Sequence, residues 1–214
     1  MKISGAIFDM DGTLTDSMFI WMELGKRFLI SCGATPSEDL WEHQKVLTLF
    51  ETAEYFRTEY GVNMTDEEMY GHMDSLLWPM YHDEVSPKEG IFLLLDRLKE
   101  RGVKMAVASA TDRHLVEMVL EKNGLLPYFS GVFTCSGVGA GKDEPVIYEA
   151  ALECLGTSKE ETIVFEDALF ALKTAKNAGF LVAGVYDEFQ DRQDEMEALS
   201  DVYITDYRKS YTLF

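Results

Sequence analysis

The sequence predicts an α/β fold, with a doubly wound, Rossmann-like parallel sheet into which an α-helical domain is inserted. Two observations support this prediction. Short apolar runs rich in β-branched residues alternate with helical stretches from about residue 81 onward, as in sheets built from strand–helix–strand units. Between about residues 16 and 82, helical periodicity continues without a convincing strand.

Five apolar runs are predicted to form strands that are buried on both faces of the sheet. They cover residues 3–8, 103–108, 131–134, 162–165 and 181–185. The carboxyl ends of parallel strands lie at one edge of a sheet, where ligands bind in open α/β folds. Polar residues that directly follow these runs are therefore expected to lie close together.

One helix between these strands has clear predicted ends. Ser86 suits the N-cap, Pro87 suits the first helical position, and Glu89 lies three residues after the cap. Gly102 can adopt the left-handed conformation that closes a helix. This helix is therefore predicted to run from Pro87 to about Arg101.

The inserted domain carries apolar residues at helical spacing. They are Trp21, Leu24, Phe28, Leu29, Leu47, Phe50, Phe56, Met69, Met73, Leu76, Leu77 and Met80. We expect its aromatic residues to form a core rather than a binding box; they include Phe50, Tyr55, Phe56, Tyr60, Trp78 and Tyr81. The predicted domains are residues 1–15 with 83–214 for the sheet and residues 16–82 for the helical insertion.

The composition is that of a globular protein. With 214 residues, 47% hydrophobic and 27% charged, the chain can bury a large core without disulfides. Cys32, Cys135 and Cys154 are odd in number and show no C-x-x-C spacing, so we expect core or half-buried thiols. The apolar part of the N-terminus is too short for a signal peptide or a membrane span, which favours a cytoplasmic protein.

The formal net charge of −19 opposes binding to nucleic acid or to anionic membranes, because both require clustered lysine and arginine. We therefore expect neither partner. A small phosphorylated substrate is compatible with this charge if a metal ion and a lysine reverse the potential locally. We expect a monomer or a weak homo-oligomer.

A pair of carboxylates follows the first predicted strand. Asp9 and Asp11, two residues apart, can act as a phosphoryl acceptor and a general acid/base. A carboxylate nucleophile forms an acyl phosphate and splits one difficult hydrolysis into two steps. Gly12 would allow a sharp turn here. The same segment could also be only a polar turn after a strand.

Two further polar elements follow later strands. Ser109 precedes a helix that begins near Thr111 or Asp112, where a hydroxyl and free backbone N–H groups can bind an anion. Lys142, after Gly141, can neutralise a phosphate oxygen and restrain the aspartate nucleophile. Taken singly, an ordinary helix cap and a solvated loop lysine fit as well. The glycines before Lys142 do not match the P-loop pattern, which excludes a P-loop.

Glu166 and Asp167 follow the strand predicted at residues 162–165. With Asp9 they would form an oxygen-rich site that suits a hard, octahedral cation such as Mg²⁺. Carboxylates gathered in one crevice repel each other unless a metal binds or some of them are protonated. Asp167 could also cap the next helix, and the two roles are compatible.

The order of these elements resembles the haloacid dehalogenase superfamily, with D-x-D-G-T, a serine, a lysine and E-D at successive strand ends. The resemblance spans essentially the whole chain, because residues 16–82 look like the helical cap domain of its β-phosphoglucomutase-like and phosphoglycolate-phosphatase-like branch. It implies a Mg²⁺-dependent phosphatase, and the second aspartate argues against dehalogenation. The catalytic roles that the resemblance implies are Asp9 as nucleophile, Asp11 as acid/base and Lys142 as a further catalytic residue. The phosphate would be bound by Ser109, Ala110 and Lys142. The implied Mg²⁺ ligands are Asp9, Asp11 through its backbone, Glu166 and Asp167.

Two segments depart from the pattern of this branch. The usual G-K-P-x-P-[DE] reads G-K-D-E-P-V at residues 141–146, and the usual E-D-S-x-x-G reads E-D-A-L-F-A at residues 166–171. Both changes leave the reacting groups intact. They are expected to alter the hydrogen bonds around those groups.

Hydrolysis competes with a sugar-phosphate mutase reaction as the predicted activity. The mutases that this sequence resembles carry a histidine and an arginine in the cap near the first motif, and neither is found at the matching place here. A cap without a second cationic phosphate anchor favours hydrolysis. Lys45 or Arg57 could still supply that charge, and His43 or His72 could face the crevice.

Two non-enzymatic classes share parts of the pattern. A signalling receiver module also combines an acidic pair, a phosphorylated aspartate, a Ser/Thr and a lysine, but it carries that aspartate on a later strand and has no helical insertion. A catalytically silent phosphate-binding protein of the same fold would not need Asp9, Asp11, Lys142 and Asp167 together. Both classes are therefore disfavoured.

Overall fold

A computed structural model describes residues 2–44, 47 and 49–214, apart from the side chains of residues 49 and 50. The chain forms two compact units, one of Met1–Asp16 with Ser86–Phe214 and one of Ser17–Val85. We refer to them as the sheet unit and the helical unit. Across the described residues, no helix has both the length and the apolar composition that crossing a membrane requires.

The sheet unit contains a six-stranded parallel sheet and a two-stranded antiparallel sheet. The strands are β1 (Gly5–Phe8), β2 (Thr15–Asp16), β3 (Ser86–Pro87), β4 (Lys104–Ser109), β5 (Val132–Thr134), β6 (Thr162–Glu166), β7 (Leu181–Val185) and β8 (Val202–Ile204). The large sheet has the order β5-β4-β1-β6-β7-β8. This confirms the predicted fold class and all five predicted strands.

The helices complete the two units. They are α1 (Met18–Ser31), α2 (Leu40–Gln44), α3 (Leu49–Tyr60), α4 (Asp66–Glu84), α5 (Ile91–Glu100), α6 (Arg113–Lys122), α7 (Cys135–Val138), α8 (Val146–Leu155), α9 (Leu169–Asn177), α10 (Gln193–Leu199) and α11 (Tyr207–Ser210). Short 3₁₀ helices cover Leu126–Tyr128, Lys159–Glu161 and Tyr211–Leu213.

The two faces of the large sheet bury alternate residues of each strand, as the strand period of two requires. On one face, Ile7 and Val164 pack against α8 and α9 within a single hydrophobic cluster. On the other face, the rings of Phe8 and Phe165 stack with centroids 4.2 Å apart, and Phe214 packs against Phe165. The central strand β1 is thus buried on both sides, as its apolar sequence predicts.

The helix predicted to begin at Pro87 begins later, so that prediction is wrong. Ser86 and Pro87 form β3, which pairs with β2. Proline lacks an N–H group but is tolerated at the edge of a sheet. Gly90, with φ 84°, is the N-cap of α5 and turns the chain from strand into helix. The predicted end of this helix, at Arg101, is confirmed.

The helical unit buries one side of each long helix. The rings of Phe28 on α1 and Phe56 on α3 stack with centroids 5.5 Å apart. Phe56 and Tyr81 are fully buried, whereas Trp78 is 47% exposed. The core that was expected for these aromatic residues therefore includes Phe56 and Tyr81 but not Trp78. Phe50 lies outside the side chains that the structure describes.

The assignment of residues 16–82 to a helical domain stays a prediction.

The last helix of the helical unit, α4, ends at Glu84. A capping box fixes its start, because Thr65 accepts a bond from the backbone N–H of Glu68 and the Glu68 carboxylate accepts one from the backbone N–H of Thr65.

We expect Gly90→Ala to destabilise the protein more than the matched change Gly102→Ala. Both glycines have positive φ, 84° and 73°, where an alanine costs about 1–2 kcal/mol. A Cβ at Gly90 would also lie 2.8 Å from the backbone nitrogen of Arg208, whereas nothing lies within 4 Å at Gly102. Urea unfolding of both variants measures the difference, and equal losses of unfolding free energy would contradict this packing.

Candidate active site

The carboxyl ends of the three central strands bring distant residues to one edge of the sheet. Phe8 at the end of β1 is level with Val107 of β4 and with Phe165 of β6. Asp9 follows Phe8 directly, and its backbone N–H donates a 3.0 Å bond to the carbonyl of Phe165. Asp9 therefore lies beside Glu166, the last residue of β6, although the two are far apart in sequence.

A tight loop after β1 holds Asp9 and Asp11 in place. The carbonyl of Met10 accepts bonds from the backbone N–H of Leu14, at 2.9 Å, and from the N–H and hydroxyl of Thr15, both at 3.0 Å. Gly12 has φ 78°, which is the turn expected from its sequence position. Asp9 is 6% exposed and Asp11 is 8% exposed, so both carboxylates are buried.

Lys142 reaches this edge from the loop before α8. Its ammonium donates to the carboxylates of Asp9 and Glu166, and the lysine is 5% exposed. Burial disfavours the ammonium, but Asp9 and Glu166 together raise the pKa of Lys142 above its usual value. Lys142 is therefore a buried cation shared by two carboxylates, not a solvated loop lysine.

The carboxylates of Asp9, Glu166 and Asp167 form a compact acidic cluster. Each contributes an oxygen, and these oxygens lie within 4.8 Å of one another. Burial, followed by the charges of neighbouring carboxylates, raises the pKa of Asp167 well above its usual range. Burial likewise raises the pKa of Asp9, and the Lys142 ammonium opposes that shift. Three buried carboxylates thus face one ammonium.

This excess of negative charge fits a divalent cation. All three side chains supply hard oxygen ligands, which magnesium prefers. The Asp167 carboxylate accepts a 3.3 Å bond from the hydroxyl of Thr13, and no lysine or arginine of the described chain forms an ion pair with it. Glu166 also accepts a 3.1 Å bond from the hydroxyl of Tyr148, so its carboxylate is held on the lysine side of the cluster.

Asp11 and Ser109 lie together on the β4 side of the site. Ser109 is fully buried, and its hydroxyl accepts a 3.0 Å bond from the backbone N–H of Thr111. The hydroxyl of Thr111 donates a 2.6 Å bond to the carboxylate of Asp11. Ala110, between them, is exposed. The side chains of Asp11 and Ser109 are therefore linked through one threonine.

One of the alternatives left open by the sequence differs in the structure. Asp167 does not cap the next helix, because the N-cap of α9 is Ala168 and no side-chain cap bond is formed there. The helix predicted to begin near Thr111 or Asp112 is confirmed, with Asp112 as its N-cap and Arg113 as its first residue. The two acids that depart from the family pattern after Lys142 are exposed.

Several supporting contacts were missed by sequence reasoning. The hydroxyl of Tyr207 donates a 3.0 Å bond to the carbonyl of Thr13, and Tyr207 is buried. Lys88 and Asp187 form a 2.7 Å ion pair, in which Asp187 is nearly buried. Each contact joins segments far apart in sequence, and no local pattern marks it. The one available signal was Asp187 itself, an acid two residues after the apolar run at residues 181–185.

Comparison with known proteins gives a consistent assignment. Residues 6–185 match the family model of haloacid dehalogenase-like hydrolases. The chain is 27% identical over 187 residues to a pyrophosphatase PpaX of Bacillus velezensis, covering 86% of this chain and 83% of the relative. It is 26% identical over 160 residues to a phosphorylated carbohydrates phosphatase of Thermotoga maritima, covering 72% and 71%.

A solved structure shows the same fold. CbbY from Rhodobacter sphaeroides, in complex with phosphate, aligns with a TM-score of 0.82 at 20% identity, covering 97% of this chain and 96% of that one. Since the family model spans most of the chain, the protein belongs to the haloacid dehalogenase-like hydrolases and is a hydrolase. The resemblance drawn from the sequence motifs is confirmed.

We expect Lys142→Met to destabilise the chelator-treated protein by about 3–5 kcal/mol, because the change leaves two buried carboxylates without their shared cation. Lys122→Met, at an exposed position of α6, is the matched control, with an expected change within about 0.5 kcal/mol. Thermal unfolding in a metal chelator compares the two variants. A loss no larger than that of the control would show that Lys142 does not balance the acidic cluster.

Proposed function

We propose that this hydrolase is a Mg²⁺-dependent phosphatase that acts on a small phosphorylated metabolite through an aspartyl phosphate formed on Asp9. The observation that carries the proposal is the environment of the Asp9 carboxylate. It is buried at the end of the central strand, contacts Lys142, and lies within 4.8 Å of both Glu166 and Asp167 oxygens. A nucleophile, a cation for phosphate and a set of metal ligands are thus adjacent.

The chemistry that we propose has two steps. In the first, a carboxylate oxygen of Asp9 attacks phosphorus, the bond to the ester oxygen breaks, and protonated Asp11 gives its proton to the leaving oxygen. In the second, the Asp11 carboxylate takes a proton from water, the water oxygen attacks phosphorus, and the bond to Asp9 breaks to release phosphate. Asp9 and Asp11 return to their starting states.

The remaining residues are proposed to orient the phosphoryl group and balance its charge. Lys142 would donate to a phosphoryl oxygen, and Ser109 would do the same through its hydroxyl, with the backbone of Ala110 beside it. Asp9, Glu166 and Asp167, with the backbone carbonyl of Asp11, would hold Mg²⁺. When bound, the ion supplies positive charge to the phosphoryl oxygens.

Hydrolysis is the better supported of the two phosphoryl-transfer reactions. Arg57, one candidate for a second phosphate anchor, is engaged within the helical unit by Asp66, Glu54 and the carbonyl of Met64. The other candidate, Lys45, lies outside the described residues. Conversion of β-glucose 1-phosphate to the 6-phosphate would favour the mutase alternative instead.

The two histidines considered for the crevice have partners within the helical unit. His43 lies 3.3 Å from the carboxylate of Asp39, and His72 lies 3.1 Å from the hydroxyl of Ser31. Neither histidine is assigned a role in the proposed reaction. The substrate class rests instead on two of the relatives, which are named as a pyrophosphatase and as a phosphorylated carbohydrates phosphatase. A panel of phosphorylated metabolites would identify the substrate.

We expect Asp9→Asn to reduce Mg²⁺-dependent phosphate release from p-nitrophenyl phosphate by roughly a thousandfold or more, because an amide cannot act as the nucleophile. Asp194→Asn, on the exposed side of α10, is the control and should keep normal turnover. Steady-state release of p-nitrophenol measures both. If Asp9→Asn turned over like the control, the proposed nucleophile would be wrong.

Removal of metal tests the acidic cluster separately. We expect a chelator to abolish turnover and added Mg²⁺ to restore it. Asp167→Asn should raise the Mg²⁺ concentration needed for half-maximal activity by roughly 10–100-fold, because it removes a charged ligand. Titration of activity with Mg²⁺ gives this value, and an unchanged midpoint in the variant would exclude Asp167 as a ligand.

A further inference from the structure

We propose that Thr111 is a positioning residue that fixes the carboxylate of Asp11 for proton transfer while its backbone fixes the hydroxyl of Ser109 for phosphate binding. This inference rests on the proposed function, in which Asp11 is the acid/base and Ser109 contacts phosphate. It assigns a role to a residue outside the four motif elements named from the sequence.

The geometry places Thr111 between the two groups. It follows β4 by two residues and lies just before Asp112, the N-cap of α6. The residue is 4% exposed. Its hydroxyl donates a 2.6 Å bond to Oδ2 of Asp11, and its backbone N–H donates a 3.0 Å bond to Oγ of Ser109. One buried residue thus contacts both groups directly.

The hydroxyl bond restricts the carboxylate of Asp11. A hydroxyl can donate only one hydrogen, and at 2.6 Å this bond has the length of a charge-assisted O–H···O⁻ contact. With Oδ2 held by Thr111, the carboxylate of Asp11 is restricted in its rotation. General acid/base catalysis depends on this kind of placement, since the proton must move over hydrogen-bond distance.

The backbone bond acts on Ser109 in a different way. A serine hydroxyl has one donor and two acceptor positions. The N–H of Thr111 uses one acceptor position, so the O–H of Ser109 stays able to donate to a phosphoryl oxygen. Because this contact comes from the main chain, substitutions of the Thr111 side chain should leave it in place. The two contacts can therefore be separated by mutation.

A purely structural role would give a different outcome. The hydroxyl bond joins residues 100 positions apart. Under the structural alternative, its sole effect would be to hold the loops after β1 and β4 together. In that case its loss would lower stability and affect both chemical steps alike. With p-nitrophenyl phosphate as substrate, formation of the phosphoenzyme needs little help from an acid, because p-nitrophenolate is a good leaving group. A positioning role therefore affects mainly the second step, in which Asp11 acts as a base on water.

The test compares Thr111→Val, which keeps a branched side chain but lacks the hydroxyl, with Thr111→Ser, which keeps the hydroxyl. Rapid-quench kinetics with p-nitrophenyl phosphate and Mg²⁺ would measure the burst of p-nitrophenol, the phosphoenzyme and steady-state turnover. We expect Thr111→Val to lower kcat by about 10–100-fold, with kcat/KM nearly unchanged and phosphoenzyme accumulated. Thr111→Ser should retain kcat within about threefold.

A double-mutant cycle with Asp11→Asn keeps the test decisive if Thr111→Val is also less stable. In the Asp11→Asn protein, Thr111→Val should not prolong the phosphoenzyme further, because both changes act through the same carboxylate. The proposal is overturned if Thr111→Val shows normal kcat, if Thr111→Ser is equally impaired, or if the two effects multiply. Normal turnover by Asp9→Asn would instead overturn the proposed function itself.

Discussion

The concentration of buried negative charge at one edge of the sheet is the constraint on which the rest of the site depends. Asp9, Glu166 and Asp167 bring their oxygens within 4.8 Å of one another, and Lys142 is the ammonium that bonds to two of them. Like charges at this separation are strongly unfavourable in a buried site. The arrangement therefore requires a shared lysine and suits a divalent cation, and both also favour the binding of a phosphoryl group.

The parallel topology creates this concentration of charge. Because β1 lies between β4 and β6, the residues after all three strands meet at the point where the chain turns to opposite sides of the sheet. Stacking of Phe8 on Phe165 fixes the register directly beneath Asp9. A shift of one residue would turn the Asp9 side chain to the other face of the strand. The hydrophobic core thus determines the position of the nucleophile.

Much of this could be predicted from sequence, because apolar runs mark buried strands and Asp9, Ser109 and Glu166 stand at their ends. What could not be predicted depends on contacts between distant segments. The bond from Thr111 to Asp11 has no local signature, and neither does the support that Tyr207 gives the first loop. The wrong start of α5 has a different cause: a Ser-Pro pair suits an edge strand as well as a helix start, and only pairing with β2 decides between them. The edge strand β8 (Val202–Ile204) was not among the predicted strands.

Covalent attachment of phosphate to Asp9 is the central step of the proposed function. The direct measurement is to quench the enzyme during turnover, reduce acyl phosphates with borohydride and map the modified peptide by mass spectrometry. Reduction converts a phosphorylated aspartate to homoserine, so we expect homoserine at position 9 only when substrate and Mg²⁺ are both present. Homoserine at another position, or no reduction product during active turnover, would contradict the account.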